Sequence, residues 1–141
     1  MIRGERDRAW VSIEMFLAKH TSPGLYTYHE GEVDENSSLQ WQHTRGWDDI
    51  NYVTPHGWTA SEVFLLLRAC LLREEGDTLI VGSGIPKSWM NNDFSVRGLP
   101  TYFGKASFIY NAAEKGLTVE LDGKAKVRSE LPWDSNLIVK G

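Results

Sequence analysis

The segment from Val63 to Leu72, VFLLLRACLL, limits what this chain can fold into more than any other stretch. Arg68 is its only strongly polar residue. A surface helix ordinarily shows a single apolar stripe, whereas this run is apolar almost all round, the pattern of a central helix with neighbours on every side. Fully burying one large apolar side chain is worth about 1.5–3 kcal/mol, so leaving several of these leucines in water is strongly unfavourable. The chain must wrap this helix itself or take cover from a partner's surface. Both ends of the helix carry signals. Thr59 followed by Glu62 reads as a capping box, and Gly76 after Arg73-Glu74-Glu75 stands where a left-handed closing residue is expected.

An earlier helix is predicted over residues 5–19. There Trp10, Ile13, Phe16 and Leu17 recur at three- and four-residue spacing with Ala9 alongside, while Arg6, Asp7 and Glu14 lie off the stripe. Thr21-Ser22-Pro23-Gly24 ends it. From Leu25 to Gly57 no period is sustained, and the connection is far longer than the usual helix-to-helix link of about 2–8 residues. Long structured loops of this kind are functional or are embraced by neighbouring elements.

Beyond the second helix the character turns to β. Thr78 to Val81 is a short apolar run, and Lys87 to Met90 reads as one helical turn anchoring Trp89. Phe94 to Arg97 and Gly104 to Tyr110 are strand candidates, and Leu117, Val119 and Leu121 alternate with Thr118 and Glu120 as in a half-buried strand. Asp122-Gly123 signals a tight hairpin before Lys124 to Arg128. Pro132 opens a last segment in which Leu137, Ile138 and Val139 form a terminal strand. Helices first and strands second predict an α+β fold. Its expected parts are an N-terminal helical hairpin with a long aromatic loop, residues 1–76, packed on a C-terminal antiparallel β-sandwich, residues 77–141.

Whole-chain properties exclude several classes. The 141 residues suit one domain or a small two-layer arrangement. A net charge of −4 without a basic patch argues against nucleic acid as a partner, and the Arg3, Arg6, Arg8 group reads as a solvated helix end. No apolar run approaches the ~20 residues that span a bilayer, so no membrane partner is expected. The opening MIRGERDRAW lacks the apolar core of a secretory signal, which favours a cytoplasmic location. Cys70 is the single cysteine; it excludes an internal disulfide and reads as an inert small hydrophobe.

Most motifs that suggest chemistry have a plainer explanation. Gly82-Ser83-Gly84 lacks a third glycine, is followed at once by Pro86 and opens no helix, so a structural turn is preferred over a phosphate loop. His20, His29, His43 and His56 show no metal-ligand spacing, and neither a metal nor a cofactor is expected. Carboxylates are dense between Glu30 and Asp49, but no spacing selects an acid/base pair among them. The aromatics carry more. Trp41, Trp47, Tyr52 and Trp58 are interleaved with His43, Asp48, Asp49, Asn51 and His56. Tryptophan and tyrosine offer a flat apolar face with a donor at the edge, which suits a pyranose ring. For Trp47 and Trp58 the sugar-binding and packing readings stand level; for Trp10 and Trp89 packing is preferred.

The run Pro55-His56-Gly57-Trp58-Thr59-Ala60-Ser61-Glu62, entering an apolar helix that closes with Leu72-Arg73-Glu74-Glu75-Gly76-Asp77, resembles the end of the catalytic toroid in six-hairpin glycosidase-like proteins. Ile85-Pro86 with Trp89, then Leu99-Pro100-Thr101 with Phe103-Gly104, is similar to the entry of the β-sandwich that follows that toroid. Leu131-Pro132 and Val139-Lys140-Gly141 resemble its final strand. The likeness covers the chain from about Leu25 onward and rests on the order and spacing of these pieces. It departs from the family in having only two plausible helices and no counterpart of the earlier segment that bears the proton donor. The resemblance therefore implies a C-terminal fragment or truncated relative of a glycoside hydrolase, inactive alone, that contributes part of a carbohydrate cleft. His56 and Trp58 carry over as cleft-lining residues, and Trp47 and Tyr52 join them as substrate-binding candidates; the catalytic residues stay unassigned. Two alternatives remain, a non-catalytic carbohydrate-binding module and a structural homo-oligomer joined through exposed helix faces.

Overall fold

A computed structural model describes residues 5–19 and 56–141. The chain divides into two compact units, one formed by Met1–Val11 with Leu66–Gly141 and the other by Ser12–Leu65. Helix α1 runs Arg6–Lys19 and helix α2 Gly57–Leu71; all the described strands follow them, which is the expected α+β order. On α1 the predicted stripe is the covered one. Ile13 is buried and Trp10, Phe16 and Leu17 are half-buried, while Val11 and Met15 are exposed.

Helix α2 differs from expectation at both ends. It begins two residues before Thr59, and His56 is its cap: the Thr59 amide donates to His56 Nδ1 at 3.2 Å. The last turn closes at Leu71 rather than at Gly76. Leu72–Glu75 is instead strand β1, paired antiparallel with β2, Thr78–Val81. Gly76, at φ 58°, opens the two-residue turn between them. The Gly-Ser-Gly turn makes this early stop possible. Gly82 N donates to Leu71 O at 2.8 Å, Gly84 N to Cys70 O at 2.9 Å and Ser83 Oγ to Ala69 O at 3.4 Å. Carbonyls that a helix end leaves unpartnered are satisfied there by the turn after β2.

Burial on α2 is also more conventional than its composition. Val63 and Cys70 are buried and Leu67 is half-buried, a stripe at four- and three-residue spacing. Phe64, Leu65 and Leu66 remain 57%, 54% and 44% exposed. Successive residues are rotated by about 100°, so consecutive leucines cannot share one covered face.

Strand β3 is Phe94–Thr101, β4 Gly104–Asn111, β5 Gly116–Leu121, β6 Lys126–Ser129 and β7 Asn136–Lys140. They form a three-stranded sheet, β1-β2-β6, and a four-stranded sheet, β3-β4-β5-β7. The β2–β6 and β5–β7 pairs are parallel, so both sheets are mixed where a wholly antiparallel sandwich was expected. The Asp122-Gly123 pair does not close a hairpin between β5 and β6. A Cβ on Gly123 would lie 1.7 Å from the Phe103 carbonyl oxygen, so glycine is needed for a close backbone approach and not for a hairpin. The chain leaves β5 there and crosses to the other sheet, where β6 runs beside β2.

The core forms where the inner faces meet. The smaller sheet contributes Leu72, Leu79 and Val81, and the larger contributes Phe108, Tyr110, Leu117 and Val119. Ile85, Met90 and Leu131 complete it from the connections. Val96 and Leu99 both face this core because a bulge at Arg97-Gly98 absorbs one extra residue, with Gly98 at φ 65° and its amide donating to Ser107 Oγ at 3.0 Å. Rings continue the core toward α1. Phe94 stacks on Tyr110 at 5.0 Å, and Trp89, in the 3₁₀ turn Lys87–Asn91, meets Phe94 edge-on at 5.9 Å and Trp10 at 5.0 Å. The first turn of α1 is bonded to the same unit by Arg6 Nη1, which donates to Glu130 O at 2.7 Å, and by Asp7 Oδ1, which accepts from Lys87 N at 2.9 Å.

Arg68 joins the end of α2 to the strands. Its guanidinium forks onto the Glu74 carboxylate, with Nη1 to Oε2 at 3.0 Å, and Nη2 donates to Pro100 O at 2.8 Å. Tyr102 N donates to Glu74 Oε1 at 3.2 Å. The hydrogen-bonded Arg68 guanidinium holds the Glu74 carboxyl below the usual carboxylate range, against the opposing effect of burial.

Candidate functional site

Of the four substrate-binding candidates, Trp47 and Tyr52 lie outside the described residues. His56 and Trp58 fall at the start of α2, two residues apart, and have different roles. His56 Nδ1 accepts the Thr59 amide and also meets Thr59 Oγ1 at 2.6 Å. An amide can only donate, so Nδ1 acts as the acceptor and the ring proton belongs on Nε2. This nitrogen is taken up by capping the helix.

Trp58 presents itself to solvent. Its side chain is 73% exposed, and its indole N–H donates to Glu62 Oε1 at 3.3 Å one turn on. Glu62 thus steadies the ring instead of reaching back as the second half of a capping box. Ser61 Oγ donates to Gly57 O at 2.9 Å along the same turn. The result is an open indole face with a carboxylate at its edge. Such a surface can stack on an apolar ligand face and accept hydrogen bonds beside it. Among the described residues no second carboxyl stands beside Glu62 at this ring.

Other sequence candidates resolve structurally. The amides of Gly82 and Gly84 are spent on α2 carbonyls, so they are not available to a phosphate. Cys70 is buried, and burial pushes its thiol up to about 11, leaving it protonated and inert at neutral pH. Among the described residues no group of three or more His, Cys, Asp or Glu could hold a metal ion. No described helix is long and apolar enough to cross a membrane.

Two open grooves on the strand-bearing unit were not anticipated. One, of about 250 Å³, lies over the outer face of the larger sheet among Arg97, Ser107, Ile109, Thr118 and Glu120. The other, about 530 Å³, lies between the end of the 3₁₀ turn and the β4–β5 loop, with Asn91, Asp93, Lys115 and Trp133 among its walls. Trp133 was legible by the reasoning applied to Trp58, since it is a tryptophan set in a polar loop, Pro132-Trp133-Asp134-Ser135. The facing residues could not be read, because the topology alone brings residues 91–93 and 112–115 beside it.

Comparison with protein-family models, with curated proteins and with solved structures returns no match for this chain.

Proposed function

We propose that this chain is the C-terminal helix-and-sandwich part of a glycosidase-like protein, or a truncated relative of one, and that it supplies the Trp58 side of a carbohydrate cleft. The observation that carries this reading is the exposed surface of α2. Trp58 offers a bare indole face with its edge fixed by Glu62, and Phe64, Leu65 and Leu66 stay open to water on the same helix. Covering the exposed halves of those three side chains would contribute about 3 kcal/mol, which is what further helices of a toroid would provide. His56 shapes the entry to the helix, and the acid/base pair of the hydrolysis would come from elsewhere, so the chain alone binds sugar without turning it over.

The test is a titration of the purified chain with neutral oligosaccharides, read by intrinsic tryptophan fluorescence, on the native protein and on Trp58→Ala. Saturable binding that Trp58→Ala weakens about tenfold, with no hydrolysis of aryl glycosides, is expected. Binding unchanged by that substitution, or turnover by a clean preparation, would overturn the reading. The same exposed helix favours one second reading, self-association through α2. Sedimentation separates the two: a dimer that Leu65→Glu dissociates identifies self-association.

A further inference from the structure

The 530 Å³ groove beside Trp133 has features that do not depend on α2. Its volume falls within the ~300–1,000 Å³ usual for small-molecule sites. Met90, Ala112 and Ala113 give it apolar surface, and Trp133 adds an indole that is 38% exposed. The polar groups around it are unspent. Among the described residues the Trp133 indole N–H, the Lys115 ammonium and the Asn91 amide have no protein partner. Asp93 uses Oδ1 on the Ala112 amide at 2.8 Å and keeps Oδ2.

The walls are also held in place before any ligand arrives. The Asp93 bond fixes the β4–β5 loop against the segment after the 3₁₀ turn. Asn111 Oδ1 accepts from Glu114 N at 3.0 Å, and Asn136 N donates to Lys115 O at 2.9 Å, tying the start of β7 to the same loop. A site whose backbone is already ordered loses less entropy on binding.

We infer that this groove is a binding site for a neutral saccharide, separate from the surface at Trp58. The chemistry of the walls selects that class. One carboxylate and one ammonium cancel, so neither an anion nor a cation is favoured; a phosphate would face Asp93 and an amine would face Lys115. A purely apolar ligand would bury both charges without partners. A pyranose matches the set: its C–H face stacks on Trp133, and its hydroxyls donate to Asp93 Oδ2 and accept from Lys115, Asn91 and the indole N–H.

The experiment titrates the full chain with hexasaccharides of β-1,4-glucan, β-1,4-xylan, β-1,4-mannan and α-1,4-glucan. The readout is the indole N–H resonance of Trp133, assigned as the peak missing in Trp133→Phe. At least one hexasaccharide is expected to move that resonance saturably. Lys115→Met should weaken that binding about threefold at this resonance, while Trp58→Ala leaves it unchanged there; Trp133→Ala, which lacks the resonance, is read by calorimetry in a Trp58→Ala background and should weaken the binding about tenfold. Lys115 is exposed, so Lys115→Met decides the matter should Trp133→Ala lose its fold. The inference is overturned if no hexasaccharide moves the Trp133 resonance at millimolar concentration. It is equally overturned if the folded variants of Trp133 and Lys115 bind as the native chain does. Loss of the fluorescence response in Trp58→Ala with the Trp133 response retained bears only on the α2 surface.

Discussion

Replacing Arg68 by methionine should cost the fold about 3 kcal/mol at pH 7. The substitution keeps most of the aliphatic stem but removes the fork on Glu74 and the bond to Pro100 O. Glu74 is then a carboxylate only 8% exposed whose remaining partner is the Tyr102 amide. Removing one member of a buried ion pair typically costs about 3–5 kcal/mol, because the other charge stays desolvated. Arg68 itself is 18% exposed, so some water reaches the pair and the low end of that range applies. For a chain of this size the loss corresponds to a melting point lower by about 10 °C.

The assay is urea denaturation followed by tryptophan fluorescence for Arg68→Met, Glu74→Gln and the double variant. A coupling of about 1–3 kcal/mol is expected, the double variant being more stable than the two single losses predict. pH gives an independent check. The folded carboxyl of Glu74 lies below its unfolded value, so its contribution is complete above about pH 4.3 and is lost as pH falls through the depressed folded value. That share of the acid sensitivity should disappear in Arg68→Met. The reasoning is refuted if Arg68→Met is within about 1 kcal/mol of the native chain and loses stability in parallel with it from pH 7 to pH 3.

Three further outcomes are expected. Phe108→Ala, at the centre of the larger sheet's inner face, should cost about 3–5 kcal/mol in the same denaturation assay; less than about 1 kcal/mol would show that the site collapses freely. Gly123→Ala should destabilise by about 2 kcal/mol or more, since the new Cβ meets backbone rather than a flexible side-chain end, and a neutral result would contradict the close approach to Phe103. Cys70, its thiol pushed up to about 11 by burial, should react with a thiol-specific disulfide reagent at pH 8 only as fast as the chain unfolds. Immediate reaction in the native state would refute its burial.

What could be read from sequence was what short-range patterns encode. The stripe on α1, the turn holding Trp89 and the alternation of Leu117, Val119 and Leu121 all appear as expected, because neighbouring residues set their own periodicity. The errors share a cause. Leu72–Glu75 reads as helix on composition, yet becomes β1 because β2 pairs with it and the Gly-Ser-Gly turn caps α2 early. Asp122-Gly123 looks like a hairpin, yet the partner that demands the glycine is Phe103, about twenty residues away in sequence. For the candidate site, sequence singled out Trp58 from one residue type in one context, and the structure adds that its ring is exposed and bonded to Glu62. The Trp133 groove was not legible, since Asp93 and Lys115 reach it only through the topology.

The bulge at Arg97-Gly98 has a consequence for the margins of the larger sheet. Strand β3 forms one margin, and within four residues it carries both the bulge and Pro100, which has no amide to donate, so another chain's strand cannot align along it for more than a short distance. The opposite margin, β7, has no such interruption among the described residues and shows Ile138 and Val139 to water. With only one margin open to strand addition, growth through this sheet would stop at a pair joined β7 to β7 and could not continue into a fibre.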